Sequence, residues 1–102
     1  MAINFHAFGN LFIHPFNYDD AKNNLLNREF AEYGQMYNEI WTECGLPSGN
    51  VKGNGKITVN YDANGEASDW MLGALNILAM SPELGNSDYE SNSFFIHDKN
   101  LL

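Results

Sequence analysis

The sequence has few cationic residues. Lysine and arginine together number 5 in 102 residues, against 13 aspartates and glutamates, so the formal net charge is −8. Nucleic acids and anionic membranes attract proteins through clustered positive charge, and this chain has no basic stripe. We therefore predict that its partners include neither nucleic acid nor a membrane.

The chain also has little cysteine and no long apolar run. Its single cysteine, Cys44, excludes an internal disulfide and a zinc knuckle built from cysteines. Apolar neighbours predict an unreactive core thiol there. No apolar run approaches the roughly 20 residues of a membrane-spanning helix. The N-terminus lacks the basic and apolar segments of a signal peptide, so none is predicted.

Aromatic residues, in contrast, are plentiful. The chain contains 7 Phe, 5 Tyr and 2 Trp, and 44% of its residues are apolar. This composition predicts one folded domain, because the length is too short for two. Small domains bury a smaller share of their surface than large ones, so this aromatic content indicates a chain that belongs to something bigger.

The first half of the chain predicts a strand and a long helix. Residues 2–8 are typical of a buried strand. Apolar residues at alternating steps of four and three predict a helix from about Ala21 to Cys44, ended by Gly45 and Pro47. The predicted apolar face comprises positions 26, 30, 33, 37, 40 and 44. Glutamates 29, 32, 39 and 43 predict a solvated acidic face.

The second half predicts shorter elements. Residues 48–56 form a glycine-rich stretch without the spacing of a phosphate-binding loop, which favours a surface loop. A short strand or extended edge is predicted at 57–59. A helix follows from Ala67 or Ser68 to about Leu75, with a buried strand at 76–80. The apolar run at 94–96 predicts part of a further helix. The order of elements is that of an α/β fold.

Three residues stand out for their chemistry. His6 lies in a predicted strand, where a histidine can be a metal ligand, although strand histidines are more often satisfied core residues. Glu83 follows an apolar strand and a proline. A carboxylate at such a position either points to solvent or is buried, and a buried one requires an interaction partner or a functional role. Tyr61 taken alone is an ordinary loop tyrosine. None of the three identifies a function by itself.

Together they fall within three segments that resemble one enzyme family. Residues 6–18 resemble a segment of the zinc carboxypeptidases of the A/B type. In that family the segment begins with His-Ser-Tyr-x-x-Leu and continues with three apolar residues, Pro, an aromatic residue and Gly-Tyr. Residues 61–70 resemble the family's Tyr-x-Ala-x-Gly-x-small-x-Asp-Trp, and residues 81–84 its Thr/Ser-x-Glu-Leu. The segments occur in the family's order and at fitting intervals, over nearly the whole chain up to about Gly85.

The resemblance implies a role for each matching position. His6 matches the third ligand of the catalytic Zn²⁺, and Glu83 matches the general base that activates the zinc-bound water. Tyr61 matches the loop tyrosine that binds the C-terminal end of the substrate. Ser68 matches the position that sets preference for the terminal side chain. The implied reaction is removal of C-terminal residues from peptides or proteins.

Several features depart from the family pattern. Ala7 and Phe8 stand where the family has Ser-Tyr. Asn17 stands where the family has a glycine. The replacement of glycine by Asn17 is expected to matter little, because asparagine also tolerates left-handed turns. The family's His-x-x-Glu pair, which supplies the other two zinc ligands, does not occur in the sequence. Arg28 is the only arginine, in a predicted helix outside any matching motif, and is expected at the surface rather than clamping a substrate carboxylate.

These departures lead to a specific expectation. Residues 1–102 are predicted to be the C-terminal portion of a carboxypeptidase-like domain, a partial mixed sheet with helices on its faces. The missing N-terminal half is then a candidate partner. Catalytic zinc uses three protein ligands, so the chain alone should bind zinc weakly and be inactive. Two alternatives stay open, namely a non-catalytic peptide-binding module of the same ancestry and an unrelated acidic α/β interaction domain.

Overall fold

The computed structural model describes residues 1–19, 27–43 and 52–85. Within them lie five short strands and three helices. The strands are β1 (Ala2–Ile3), β2 (His6–Ala7), β3 (Leu11–Ile13), β4 (Lys52–Gly53) and β5 (Ala79–Leu84). The helices are α1 (Asn27–Glu43), α2 (Gly55–Thr58) and α3 (Ala67–Leu75). The predicted mixed α/β architecture is confirmed for these residues.

Strand β5 organises the sheet. It pairs in parallel with β1 and with β2, and antiparallel with β3, which in turn pairs in parallel with β4. Glu83 is opposite His6 on one side and Leu11 on the other. Because a strand has only two edges, β1 and β2 lie along one edge of β5, and β3 and β4 extend the sheet beyond the other edge.

The core forms where α1 and α3 meet this sheet. Its buried cluster consists of Phe12, Tyr33, Leu72 and Met80. Tyr33 also fixes the helix to the central strand, since its hydroxyl donates a 2.7 Å hydrogen bond to the carbonyl of Ala79. Burial raises the pKa of Tyr33 to about 12. The tyrosine therefore stays protonated as a donor at neutral pH.

Helix α1 is confirmed over 27–43, whereas residues 21–26 and Cys44 lie outside the described residues. Its predicted faces are partly wrong. Glu29 is only 7% exposed, and Phe30, predicted to be apolar core, is 63% exposed. Helical spacing allows either outcome, because Glu29 and Phe30 precede Tyr33 by four and three residues and both lie next to it on the helix. The packing of α1 decides which of the two is buried. Arg28 is exposed as predicted and faces Glu32 at 3.6 Å.

The glycine-rich stretch departs most from expectation. Gly53, Asn54 and Gly55 are buried rather than on the surface, and residues 55–58 form a helical turn in place of the predicted extended edge. Asn54 caps that turn, because its side-chain oxygen accepts from the backbone N–H of Ile57 at 3.1 Å. This capping bond overrides the strand preference of the β-branched residues. Residues 48–51 lie outside the described residues.

The helix predicted from Ala67 or Ser68 to about Leu75 is confirmed within one residue. Helix α3 spans Ala67–Leu75 and ends at Asn76, which takes the left-handed conformation typical of a helix terminus. Its N-cap residue is Glu66. The following strand begins three residues later than predicted, at Ala79. The apolar run at 94–96 lies outside the described residues.

Gly53 offers a direct test of the packing between β4 and α2. A Cβ at this position would lie 2.8 Å from the Cβ of Ile57, and the backbone has φ +154°. We expect Gly53→Ala to lower the free energy of unfolding by about 1–3 kcal/mol more than Gly65→Ala in urea denaturation. Gly65 is the matched control, because it also has positive φ but meets nothing within 4 Å. Equal losses would contradict the predicted clash.

Candidate functional site

One open pocket brings together residues from all three sequence segments. Its volume is about 160 Å³, room for roughly five water molecules. The residues that line it are His6, Ile13, Asn17, Gly55, Val59, Tyr61, Ala63, Glu66, Ser81 and Glu83. Three of the four predicted site residues, His6, Tyr61 and Glu83, therefore share one pocket although up to 77 positions separate them in the sequence.

The pairing of β2 with β5 sets His6 beside Glu83. The two residues are direct partners across the parallel strands, and His6 is exposed. The side-chain amide of Asn4 lies 2.9 Å from Nε2 of the His6 ring. This contact engages one ring nitrogen and orients the imidazole, so Nδ1 is the nitrogen left for a further ligand.

Glu83 combines partial burial with charged neighbours. Its removal from water raises the pKa of its carboxyl group, the nearby His6 acts in the opposite direction, and the charge of Glu66 raises the pKa further. Two neighbouring carboxylates disfavour simultaneous ionisation. A carboxylate with a raised pKa accepts protons more readily, which is the property that a general base requires.

Glu66 is a site residue for which the sequence predicts no role. Its Oε2 accepts hydrogen bonds from the hydroxyl of Ser68 at 2.8 Å and from the hydroxyl of Ser81 at 3.0 Å. Both serines are buried, and they fix the carboxylate of Glu66 at the wall of the pocket. Ser68, predicted to contact substrate, is only 1% exposed and does not line the pocket. Its contact with the pocket is indirect, through Glu66.

Tyr61 differs from these residues in its exposure. Its side chain is 59% exposed while still contributing to the pocket lining. The backbone below it is closely packed, because a Cβ on Gly55 would lie 3.0 Å from the Tyr61 carbonyl oxygen. Tyr61 is therefore a solvent-facing aromatic ring on a firmly seated segment.

Asn17 holds the walls of the pocket together. Its side-chain Oδ1 accepts from the N–H of Gly55 at 2.6 Å, and its Nδ2 donates to Asp69 at 2.9 Å. Its carbonyl accepts from the N–H of Ala63 at 2.7 Å. The prediction that asparagine at this position matters little is wrong, because the side chain is 2% exposed and uses both of its polar atoms.

Asp69 completes this network from helix α3. Its Oδ2 accepts from the backbone N–H groups of Asn17, at 2.8 Å, and Tyr18, at 3.0 Å. Burial raises the pKa of Asp69, and the hydrogen bonds from these residues oppose that shift. Asn17, Tyr18 and Asp69 all belong to the segments that resemble the carboxypeptidases. The aspartate of the Asp-Trp pair was therefore the signal that could have identified the network.

The potential metal donors are fewer than a zinc site requires. No group of three or more His, Cys, Asp or Glu side chains suited to hold a metal ion occurs in residues 1–19, 27–43 and 52–85. Catalytic zinc takes three protein ligands and keeps one position for water. The donors of the described residues alone thus do not fit a complete zinc centre.

Comparison with protein-family models gives no match, and comparison with curated proteins gives no significant match. Among the helices that the structure describes, none has both the length and the apolar character needed to cross a membrane. The residues of the pocket and the three sequence segments are therefore the features from which a function can be inferred.

Proposed function

We propose that this chain supplies one wall of the active site of a zinc-dependent metallocarboxypeptidase, an enzyme that removes C-terminal residues from peptides or proteins. In this proposal His6 is a zinc ligand, Glu83 is the general base, and Tyr61 contacts the substrate. The observation that carries the proposal is the convergence of these three residues on one pocket, with His6 directly opposite Glu83.

The environment of Glu83 supports the role of a base. Its carboxylate is half-buried and has a raised pKa, so it can accept a proton from an attacking water and pass it to the departing amine. The ring of Tyr61 is exposed and contributes to the lining of the pocket, which supports a role in contacting a peptide end. Ser68 contributes by holding Glu66 rather than by direct contact with substrate.

In this proposal, another polypeptide segment supplies the remaining zinc ligands. The sequence has no His-x-x-Glu pair, and its only arginine, Arg28, faces Glu32 on helix α1. The outer edge of β1 and β2 offers a surface for such a segment, because none of the described strands pairs with it. A further strand could pair with the backbone on this edge and bring its own residues next to His6.

Zinc stoichiometry tests the proposal. We expect the chain alone to bind zinc weakly and to cleave nothing. Mixed with a polypeptide that carries the family's His-x-x-Glu pair and arginine, it should retain about one zinc per chain, because three ligands complete a catalytic site. His6→Ala should abolish the zinc gained in the mixture. Gel filtration of the mixture must first show that the two polypeptides assemble.

A non-catalytic peptide-binding module is the second candidate. It is favoured by the incomplete donor set of the described residues. An assembled mixture that binds peptides with free C-termini but holds no zinc would support this candidate and reject the enzyme. Stoichiometric zinc and peptidase activity in the isolated chain, both lost in His6→Ala, would instead refute the prediction that a second polypeptide is needed.

A further inference from the structure

Two Asn-Gly pairs occur in the sequence, Asn54-Gly55 and Asn64-Gly65, and the fold gives them opposite surroundings. An asparagine followed by glycine can react with its own backbone, because glycine has no Cβ to hinder the approach of its nitrogen to the asparagine side chain. The reaction converts the asparagine into an aspartate or an isoaspartate, and asparagine is accordingly one of the chemically labile residues of proteins. The structural environment of each pair then decides which one reacts.

The pair Asn54-Gly55 is protected by burial and by hydrogen bonds. Asn54 is fully buried, and its side-chain oxygen accepts from the N–H of Ile57 at 3.1 Å. The N–H of Gly55, whose nitrogen would have to attack, donates instead to Oδ1 of Asn17 at 2.6 Å. Reaction requires these hydrogen bonds to break and water to enter, so it has to wait until this part of the protein unfolds.

The pair Asn64-Gly65 is not held in this way by the described residues. Both residues are exposed, and they form a turn in the segment between Tyr61 and Glu66. A Cβ on Gly65 would meet nothing within 4 Å, so its backbone is not crowded. Among the hydrogen bonds between the described residues, none uses the Asn64 side chain or the N–H of Gly65. The side chain and the nitrogen can therefore approach each other without unfolding.

We propose that Asn64 is a site of spontaneous deamidation in the folded protein, whereas Asn54 is protected from it. The backbone nitrogen of Gly65 forms a bond to Cγ of Asn64 and loses its proton, and the side-chain nitrogen leaves as ammonia. Water then opens the cyclic imide at one of its two carbonyls. Opening at Cγ leaves an aspartate, and opening at the backbone carbonyl leaves an isoaspartate, which adds one methylene to the main chain.

The isoaspartate would displace the wall of the pocket, because the chain is fixed on both sides of Asn64. On one side, the N–H of Ala63 donates to the carbonyl of Asn17 at 2.7 Å. On the other side, the carboxylate of Glu66 accepts from the hydroxyl of Ser81 at 3.0 Å. Ala63 and Glu66 both line the pocket. An added methylene between them has to move at least one of these two attachments.

The experiment is peptide mapping by mass spectrometry of the wild-type chain during incubation in mildly alkaline buffer. We expect Asn64 to convert at least about tenfold faster than Asn54 while the chain is folded, because only Asn54 has to wait for opening of the structure. In urea that unfolds the chain, the two rates should become similar, since each asparagine is then followed by an exposed glycine. The unfolded chain is therefore the control for the effect of the fold.

NMR spectra of the ¹⁵N-labelled chain after this incubation test the effect on the pocket. We expect the amide signals of Ala63 and Glu66 to shift in the isoaspartate form. Asn64→Asp is the matched control, because it adds the same charge without the methylene, and its shifts should be smaller.

Two results in the folded chain would overturn the inference: equal conversion of Asn54 and Asn64, or conversion of Asn64 only after unfolding. Equal NMR shifts in the isoaspartate form and in Asn64→Asp would reject the displacement of the pocket wall. Neither measurement uses zinc or a peptide substrate. The inference therefore stands or fails independently of the proposed function.

Discussion

Asp69→Asn is expected to lower the free energy of unfolding by about 2–4 kcal/mol, because hydrogen bonds to a buried charged group are among the strongest in a protein. The carboxylate accepts three hydrogen bonds, from the backbone N–H groups of Asn17 and Tyr18 and from the Asn17 side chain. An asparagine can offer only one oxygen to these three donors, and its own NH₂ group would face at least one of them.

Asn17 cannot rotate to relieve the conflict. Its Oδ1 already accepts from the N–H of Gly55 at 2.6 Å, so turning the amide would leave that buried donor facing another donor. The loss should therefore appear in full as a lower midpoint in urea, with an unchanged slope.

Asp62→Asn provides the matched control for this measurement. It makes the same chemical change at an exposed position in the chain segment before α3, where surface substitutions usually change stability by less than about 0.5 kcal/mol. Equal midpoints for Asp69→Asn and Asp62→Asn would contradict the role assigned to the network. If the Asp69→Asn variant does not fold while the Asp62→Asn variant does, the result supports the role assigned to the network.

Glu83→Gln should have the largest effect on activity. In the assembled mixture we expect peptide hydrolysis to fall by about 10²–10⁴-fold, the usual contribution of a general base. Glutamine has nearly the same shape but cannot accept and return a proton at neutral pH. Zinc content should be retained, since Glu83 is not a metal ligand in the proposal. Unchanged hydrolysis would reject Glu83 as the base, and loss of zinc would assign it to the metal site instead.

The stability of Glu83→Gln shows whether any loss of activity is chemical or structural. Folding raises the pKa of Glu83 above its ordinary value of 4.5, so the folded state binds the proton more tightly than the unfolded state. Ionisation of Glu83 therefore lowers the free energy of unfolding as the pH rises from the pKa of the unfolded state to the higher pKa of the folded state. We expect the variant to melt at a higher temperature than the wild type at pH 7. The difference should vanish below about pH 4. A lower melting temperature at pH 7 would contradict this account.

Local patterns in the sequence predicted some elements well. The sequence predicts helix α3 to within one residue. The residues that indicate it, the Asp-Trp pair and the apolar residues that follow, are close together in the chain. Helix α1 was identified from its periodicity, but its faces were not, since one turn holds both Glu29 and Phe30 and only packing selects which is buried. The sequence does not indicate the turn at 55–58, because its β-branched residues favour a strand and only the fold shows that Asn54 caps the turn.

The sequence by itself determined the acidic character of the chain, its α/β class and the three segments that contain His6, Tyr61 and Glu83. These depend on composition and on order along the chain. Only the tertiary structure decided that His6 lies opposite Glu83, that Glu66 rather than Ser68 faces the pocket, and that the Asn17 side chain joins its walls. Those relations depend on strand register and on buried hydrogen bonds between segments up to 77 residues apart. A change of one residue in register would turn each strand side chain to the opposite face, so no local pattern can specify them.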